Sequence, residues 1–191
     1  QLALNRYQTK EKSKWEVGRD FERYVGYKYE EKGYRVKYQG ALFGLEDMGR
    51  DLIATKGNKK FVIQCKRWSK EKTIHEKHIF QLYGSVVLLN TENPGSTYKG
   101  IFITTTQLSA VARNCAKYLG IQVVENHEIK PYPIIKCNIS RDKEKIYHLP
   151  FDQQYDRVNI NTKDGDCYID SVLGAEELGF RHAYKWKGSY E

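Results

Sequence analysis

The spacing of hydrophobic and polar positions predicts alternating helices and strands over the first two thirds of the chain. Apolar residues recur at helical spacing over residues 15–32, and Gly33 follows as a C-terminal cap. The same pattern predicts further helices at residues 74–89 and 109–119. Alternation or short apolar runs predict strands at residues 34–39, 51–54, 61–66, 99–106 and 121–125. This order of elements predicts an α/β fold with a mixed β-sheet flanked by helices.

A change in composition near residues 131–133 divides the chain. Residues 15–130 are expected to form the main domain, and residues 131–191 a small α+β C-terminal module with one brief helix at 171–178. Residues 1–14 are polar and basic, so we expect a linker or the end of an upstream segment. Because the chain opens with Gln rather than Met, we expect that a region of a longer protein precedes it.

Two features of the composition concern the cellular setting. No apolar stretch approaches the roughly 18–20 residues that a membrane-spanning helix needs. The four cysteines are widely scattered and form no C-x-x-C pair, so a zinc site is not expected. Free thiols in a reducing, cytoplasmic environment are the expectation.

The richest part of the sequence is a pair of apolar runs that carry polar side chains at their ends. Asp51 opens the first run, and Gln64 and Lys66 lie near the end of the second. Side chains alternate along a strand, so Gln64 and Lys66 share one face while Cys65 lies on the other. If the two runs pair as a hairpin through residues 55–60, a carboxylate, an amide and an ammonium converge at one sheet edge.

These three groups are typical of a metal-dependent phosphodiesterase. Carboxylate oxygens suit Mg²⁺, and a bound metal can activate water. A lysine can polarise that water or neutralise the charge that develops on the phosphate. We therefore expect Asp51 and Gln64 to be metal ligands and Lys66 to be the third catalytic residue.

The site has one carboxylate fewer than most such sites. An amide oxygen can bind a metal, but it brings no charge and holds the cation less firmly. Glu22 on the first predicted helix is our candidate for a second carboxylate, and Glu46 and Asp47 are the alternatives. Glu22 could instead be a solvated helix residue, or pair with Arg19 or Arg23 at helical spacing.

The balance of charge favours a polyanionic partner without establishing one. The chain carries 32 Lys and Arg against 24 Asp and Glu, a net charge of +8. A basic run that includes an aromatic residue follows the second apolar run directly, and this position favours phosphate contact over a solvated loop. The DNA contacts expected in this run are Arg67, Trp68, Lys70 and Lys72.

Four short motifs occur in a fixed order over residues 15–125. They are Gly18-Arg-Asp-Phe-Glu22, Gly33-Tyr-Arg-Val36, Gly49-Arg-Asp51-Leu-Ile-Ala54 and Gln64-Cys-Lys66-Arg-Trp68. Together they resemble the Mrr-type restriction endonucleases, which belong to the PD-(D/E)xK nuclease superfamily. The resemblance implies a restriction-endonuclease-like fold and DNA cleavage with Mg²⁺, for which Mn²⁺ is the expected substitute.

The resemblance also implies roles for particular residues. Asp51, Gln64 and Lys66 take the catalytic positions, and Gln64 fits the D…QxK variant of the family. Glu22 matches the glutamate on the family's first helix. Gln81 lies on a helix that carries a glutamine near the active site in related nucleases, so we expect an auxiliary role for it at the DNA.

Three features depart from the pattern or remain open. The acidic loop at residues 44–49 differs from the glycine-rich loop of the family, which leaves the roles of Glu46 and Asp47 open. His75 and His78 lie three residues apart on one helix, but no third ligand is evident. We expect these histidines to face solvent or DNA rather than a metal.

The C-terminal module distantly resembles small DNA-repair zinc modules that end in a similar helix and Gly-Phe-Arg turn. It lacks their cysteine quartet, so the metal does not carry over. A packing appendage and a DNA-contacting module are both open readings, and the first candidates for DNA contact are Arg181, Lys185 and Trp186.

The sequence therefore predicts a metal-dependent DNA endonuclease, and the resemblance suggests restriction of foreign DNA or defence against it. One alternative is a DNA-binding or sensor module whose nuclease site has decayed, since Gln64 replaces an acid. Another is a specialist for RNA or modified bases on the same fold. Cutting both strands would favour a homodimer, because one site per chain cuts one strand.

Overall fold

The structure is a computed structural model that describes residues 1–39 and 49–183. The chain forms two compact units. One consists of residues 12–130, and the other combines residues 1–11 with the chain from residue 131 onward.

The first unit is built on β-strands that form one large sheet and one small one. The strands are β1 (Arg35–Tyr38), β2 (Leu52–Lys56), β3 (Lys59–Lys66), β4 (Thr73–Ile74), β5 (Tyr98–Thr104), β6 (Gln107–Leu108) and β7 (Gln122–Val124). The large sheet has the order β1-β2-β3-β5-β7. Its first three strands are antiparallel neighbours, whereas β3, β5 and β7 run parallel. β4 and β6 form a separate parallel pair.

Helices flank this sheet. Within the described residues up to 130, the helices are α1 (Leu2–Thr9), α2 (Lys14–Glu30), α3 (Glu76–Glu92) and α4 (Ala110–Tyr118), of which α1 belongs to the other unit. α2 begins in a capping box, in which the Ser13 hydroxyl accepts from the Glu16 N–H and the Glu16 carboxylate accepts from the Ser13 N–H. The mixed sheet between helices confirms the fold class that the sequence predicts.

One face of the sheet packs against α3 and α4. Val62 of β3 and Phe102 of β5 are fully buried there with Ile79 and Leu82 of α3 and Ala112 of α4. Because side chains alternate along β3, this is also the face of Gln64 and Lys66. The surroundings of Gln64 and Lys66 therefore depend on how α3 and α4 pack on this face of the sheet.

The predicted hairpin is confirmed. β2 and β3 pair from Leu52 opposite Ile63 to Lys56 opposite Lys59, which leaves a tight turn at residues 57–58. Gly57 has a φ of 53°, the left-handed conformation that glycine adopts without strain. The two ends of the sequence motif are therefore brought to the same edge of the sheet.

The helix predicted at residues 74–89 ends later than expected. Asn90 lies within α3 rather than in a turn, and its side chain makes two hydrogen bonds to the backbone of Tyr98, at 2.7 and 3.1 Å. The asparagine that signals a turn in the sequence instead fastens the end of α3 to the start of β5.

The second unit has its own sheet and core. Its later elements are β8 (Ile135–Ile139), β9 (Lys145–His148), β10 (Cys167–Ile169), α5 (Val172–Glu177) and β11 (Arg181–His182), with short 3₁₀ turns at Tyr155–Arg157 and Thr162–Asp164. The strand order is β10-β8-β9-β11. Phe180, Tyr147 and Cys137 are buried in its core.

The N-terminal segment, expected as a linker or the end of an upstream segment, contributes to this second core. α1 places Leu4 in the cluster with Ile135 and Val172, and Leu4 is completely buried. The Gln1 side chain accepts a hydrogen bond from the Val172 N–H at 3.0 Å. Because the segment is mostly polar, the sequence does not indicate that Leu4 is buried in this core.

None of the helices formed by residues 1–39 and 49–183 combines the length and the apolar character of a membrane-spanning segment.

Candidate active site

Asp51 lies immediately before β2 and is buried, with 6% of its surface exposed. Its backbone N–H donates to the Ile63 carbonyl at 3.1 Å, although Ile63 pairs with Leu52 in the register of the two strands. Pairing therefore slips by one residue at Asp51, as in a β-bulge, a distortion that redirects a side chain. The Asp51 carboxylate Oδ2 accepts from the Cys65 N–H at 2.5 Å.

Gln64 lies on β3 and is completely buried. Its Nε2 donates to Oε1 of Gln81 on α3, at 3.3 Å. Its own Oε1 is buried and has no hydrogen-bond partner among the described residues. An unpaired buried carbonyl costs roughly 1–3 kcal/mol, so this oxygen marks a place where a ligand would be stabilising.

Gly49 leaves room for the Gln64–Gln81 pair. It has a φ of 75°, and a Cβ at this position would lie 2.5 Å from Gln64 Nε2 and 2.8 Å from Gln81 Cδ. Both the backbone conformation and the close approach require glycine. In the sequence, Gly49 is only one residue of a motif. Its close approach to the two glutamines is shown only by the structure.

Lys66 is the last residue of β3 and is half-buried. His78 of α3 lies near it: burial lowers the pKa of the His78 ring, and the positive charge of Lys66 lowers it further. The His78 ring meets the edge of Trp68 at a centroid distance of 5.3 Å, and its Nε2 is buried without a hydrogen-bond partner among the described residues. His78 is thus half-buried and packs against Trp68, and its orientation towards solvent or DNA stays a prediction.

Glu22 lies on α2 and is half-buried. Burial raises the pKa of the Cys65 thiol well above its usual value, and the negative charges of Asp51 and Glu22 raise it further. Cys65 points to the sheet face opposite Gln64 and Lys66. The charges of Glu22 and Asp51 thus both act on Cys65, the residue between Gln64 and Lys66.

The basic run beyond β3 is held by hydrogen bonds to residue 105. The Thr105 hydroxyl accepts from the Trp68 N–H at 3.1 Å and donates to the Trp68 carbonyl at 2.7 Å. The Trp68 ring packs partly buried against the core, and Lys72 Nζ lies 5.9 Å from its centroid. Arg67 and Lys70 remain exposed.

A cleft of about 720 Å³ adjoins this run. His127 lies in its wall, and burial lowers the pKa of this ring. Glu128 contributes a carboxylate to a lining that is otherwise rich in basic and amide groups. The basic and polar residues lining it include Arg67, Lys70, Thr105, Gln107, Asn126 and His127.

The other residues expected from the sequence are placed as follows. Arg181 belongs to the second unit, where its guanidinium pairs with Glu144 at 2.7 Å. Glu46, Asp47, Lys185 and Trp186 lie outside the described residues.

The donor set of this site fits a hard divalent cation. Carboxylate and amide oxygens are the ligands that Mg²⁺ accepts. The Gln64 oxygen has no hydrogen-bond partner among the described residues, and the buried Asp51 carboxylate binds the N–H of the next residue, Cys65. Within residues 1–39 and 49–183, no group of three or more His, Cys, Asp or Glu side chains is placed to hold a metal. A site here would rely on the amide oxygen.

Comparison with known families supports this reading of the fold. The restriction endonuclease family model, Mrr_cat, matches residues 14–131, which is more than half of the 191 residues. The sheet and its candidate site define a nuclease domain of the restriction-endonuclease-like class. The chain belongs to the Mrr-type restriction endonuclease family.

Solved structures with a similar arrangement are all distant. A complex of EndoMS with double-stranded DNA is 17% identical with a TM-score of 0.45, over 61% of this chain and 46% of that chain. A repair endonuclease from Pyrococcus abyssi is 15% identical with a TM-score of 0.44, over 64% and 50% of the two chains. The MspJI restriction endonuclease with a 27-mer oligonucleotide is 16% identical with a TM-score of 0.41, over 59% and 27%.

This chain thus covers half or less of each of these three proteins. No curated protein sequence matches the chain.

Proposed function

We propose that this chain is a metal-dependent DNA endonuclease that hydrolyses phosphodiester bonds. The observation that carries the proposal is the buried Oε1 of Gln64, which has no hydrogen-bond partner among the described residues, next in sequence to Cys65, whose N–H binds the buried Asp51 carboxylate. Asp51, Gln64 and Glu22 would hold Mg²⁺, for which Mn²⁺ would substitute. Membership of the restriction endonuclease family supports the same reaction class.

The cation, Asp51 and Lys66 would each have a separate role in the reaction. When bound, the cation would lower the pKa of a water molecule and neutralise charge on the scissile phosphate. The Asp51 carboxylate would stay oriented through its hydrogen bond from the Cys65 N–H. The Lys66 ammonium, on the same face as Gln64, would balance the negative charge that develops on the phosphate.

The basic run and its cleft would hold the DNA strand beside this site. Arg67 and Lys70 are exposed cations next to Lys66, and phosphate contacts of this kind position DNA without reading its sequence. Trp68 would anchor the run, because its backbone is held by Thr105 and its ring is packed. Lys72 and Gln81 would add contacts at the edges. Arg181 and Lys185, which belong to the second unit, are proposed as separate DNA contacts.

The biological role and the assembly are further parts of the proposal. Restriction of foreign DNA, or defence against it, is the role that the family suggests. A homodimer would let two sites cut both strands.

The experiment is cleavage of supercoiled plasmid by the purified chain. We expect nicking or linearisation with Mg²⁺ or Mn²⁺ and intact plasmid in EDTA. Lys66→Ala should abolish cleavage while circular dichroism shows an unchanged fold. Cleavage by Lys66→Ala at the rate of the unsubstituted chain would refute the site assignment.

The second candidate function is a DNA-binding module whose nuclease site has decayed. It is favoured by the amide at position 64 and by the lack of a three-residue acidic or histidine cluster among the described residues. Such a module would bind DNA with strong salt dependence but would not bind Mn²⁺ at Asp51. Titration with Mn²⁺ therefore distinguishes it from the endonuclease.

A further inference from the structure

We propose that Gln81 is a positioning residue that determines which end of the Gln64 amide faces the bound cation. This inference rests on the proposed function, because it concerns the same metal site. It assigns to Gln81 an effect on the metal that is separate from contact with DNA.

A glutamine has two ends of nearly equal size and opposite function. Its oxygen can bind a cation, whereas its NH₂ group is a donor and repels one. Only its hydrogen bonds distinguish the two orientations. At Gln64 the bond at 3.3 Å to Gln81 Oε1 engages the NH₂ end and leaves the oxygen end without a partner among the described residues.

The core holds the backbone of Gln81 in the place that this role needs, and the exposed residue 81 reaches Gln64 through its side chain. Its neighbours Ile79 and Leu82 on α3 are completely buried in the core, so the backbone that carries Gln81 is fixed. Gly49 covers the same pair, with no space for a side chain between its backbone and the two glutamines. The NH₂ end of Gln64 is thus enclosed by Gln81 and Gly49.

This role matters only because position 64 is an amide. A carboxylate presents an oxygen at both ends, so rotation by 180° leaves its metal-binding capacity unchanged. If Gln64 were Glu, Gln81 could turn its own NH₂ towards the carboxylate, and orientation would no longer need to be selected. Substitution of Gln81 should therefore weaken cation binding in the native background and have little effect in a Gln64→Glu background.

The test measures the Mn²⁺ dissociation constant of the full chain without DNA, by electron paramagnetic resonance of free Mn²⁺. Gln81→Met keeps the length of the side chain and removes the acceptor, and we expect it to weaken binding roughly 10-fold or more. Gln81→Glu keeps an acceptor and should retain the native affinity to within about threefold. In the Gln64→Glu background, Gln81→Met should change the affinity by less than about threefold.

Val87→Met is the matched control, because Val87 is an exposed residue of the same helix. It should leave the Mn²⁺ affinity unchanged. Equal losses from Gln81→Met in both backgrounds, or no loss in either, would overturn the proposal.

A second measurement uses the protein without metal. The side-chain amide protons of Gln64, assigned by their disappearance in Gln64→Glu, should exchange slowly with solvent and at least about 10-fold faster in Gln81→Met. Equal exchange rates in the two proteins would overturn the proposal. Failure of the unsubstituted chain to bind Mn²⁺ would instead defeat the proposed function, so the two failures are distinguishable.

Discussion

The Asp51 carboxylate accepts a hydrogen bond from the Cys65 N–H at 2.5 Å, across the point where the pairing of β2 and β3 slips by one residue. The carboxylate takes the place of a strand partner for β3. Asp51 therefore has two separable roles, a structural one as acceptor and a proposed one as metal ligand.

Substitution at Asp51 should separate these roles. Asp51→Asn retains an acceptor for the Cys65 N–H but loses the charge, so it should unfold in urea at close to the native midpoint and cleave DNA at least about 100-fold more slowly. Asp51→Ala should lose cleavage as well and in addition cost about 1–3 kcal/mol of unfolding free energy. Plasmid cleavage by Asp51→Asn at the native rate would remove Asp51 from the metal site.

Two glycines of α2 should respond to alanine with opposite signs. A Cβ at Gly26 would lie 2.2 Å from Tyr38 Oη, so Gly26→Ala overpacks a buried contact and should destabilise the unit by about 1–3 kcal/mol. At Gly18 the added Cβ would meet no described atom within 4 Å outside its own helix backbone, so Gly18→Ala should stabilise by about 0.5–1 kcal/mol through helix propensity. Urea denaturation measures both changes, and a destabilised Gly18→Ala would contradict this account of α2.

Removal of one cation from the basic run should lower the salt dependence of DNA binding. Lys70→Ala should weaken binding at low salt and reduce the slope of log K against log salt by about 0.9 if it removes one phosphate contact. Lys59→Ala is the matched control, because this exposed lysine lies at the opposite end of β3. Binding of labelled duplex DNA at several salt concentrations gives both slopes, and an identical slope for Lys70→Ala and the unsubstituted chain would exclude the contact.

The stability of the second unit should depend on the protonation of His148. Burial lowers the pKa of this ring from 6.5 to about 4, with the charges of Lys136, His182 and Arg181 adding to the effect and Asp152 opposing it. Below pH 6.5 the unfolded chain binds the proton more readily, so stability falls as the pH drops towards 4, by at most about 3 kcal/mol.

Hydrogen exchange at the β8 and β9 amides checks this dependence between pH 7 and pH 5. His148→Gln keeps a donor for the Asn138 side chain, which His148 contacts at 2.9 Å, but cannot be protonated. His148→Gln should make the stability of the second unit nearly independent of pH between pH 7 and pH 5. An unchanged slope in His148→Gln would assign the effect to other groups.

The sequence predicts those parts of the fold and site that follow from local pattern. Alternation along one strand puts Gln64 and Lys66 on a common face, and the Gly57 turn brings Asp51 to the same edge. The bond from Gln64 to Gln81, by contrast, depends on how α3 packs across the sheet. The packing of buried α3 residues such as Leu82 against the sheet fixes this bond, and no local pattern around Gln64 indicates it.

Leu4 shows the same limit at the other end of the chain. Leu4 is the buried residue of α1, and one buried position gives no periodic signal, so the sequence predicts a linker until the contacts of Leu4 with Ile135 and Val172 are known. The ring contact of His78 also lacks a local signal, since its partner Trp68 lies ten residues earlier in the chain.

The central claim is that a divalent cation binds between Asp51 and Gln64. Anomalous diffraction from crystals of the chain soaked in Mn²⁺ tests it directly, with Asp51→Asn crystals treated in the same way as the control. The account predicts one strong anomalous peak in contact with an Asp51 carboxylate oxygen and Gln64 Oε1, which is lost in Asp51→Asn. A soaked native crystal with no peak between these two side chains would contradict it.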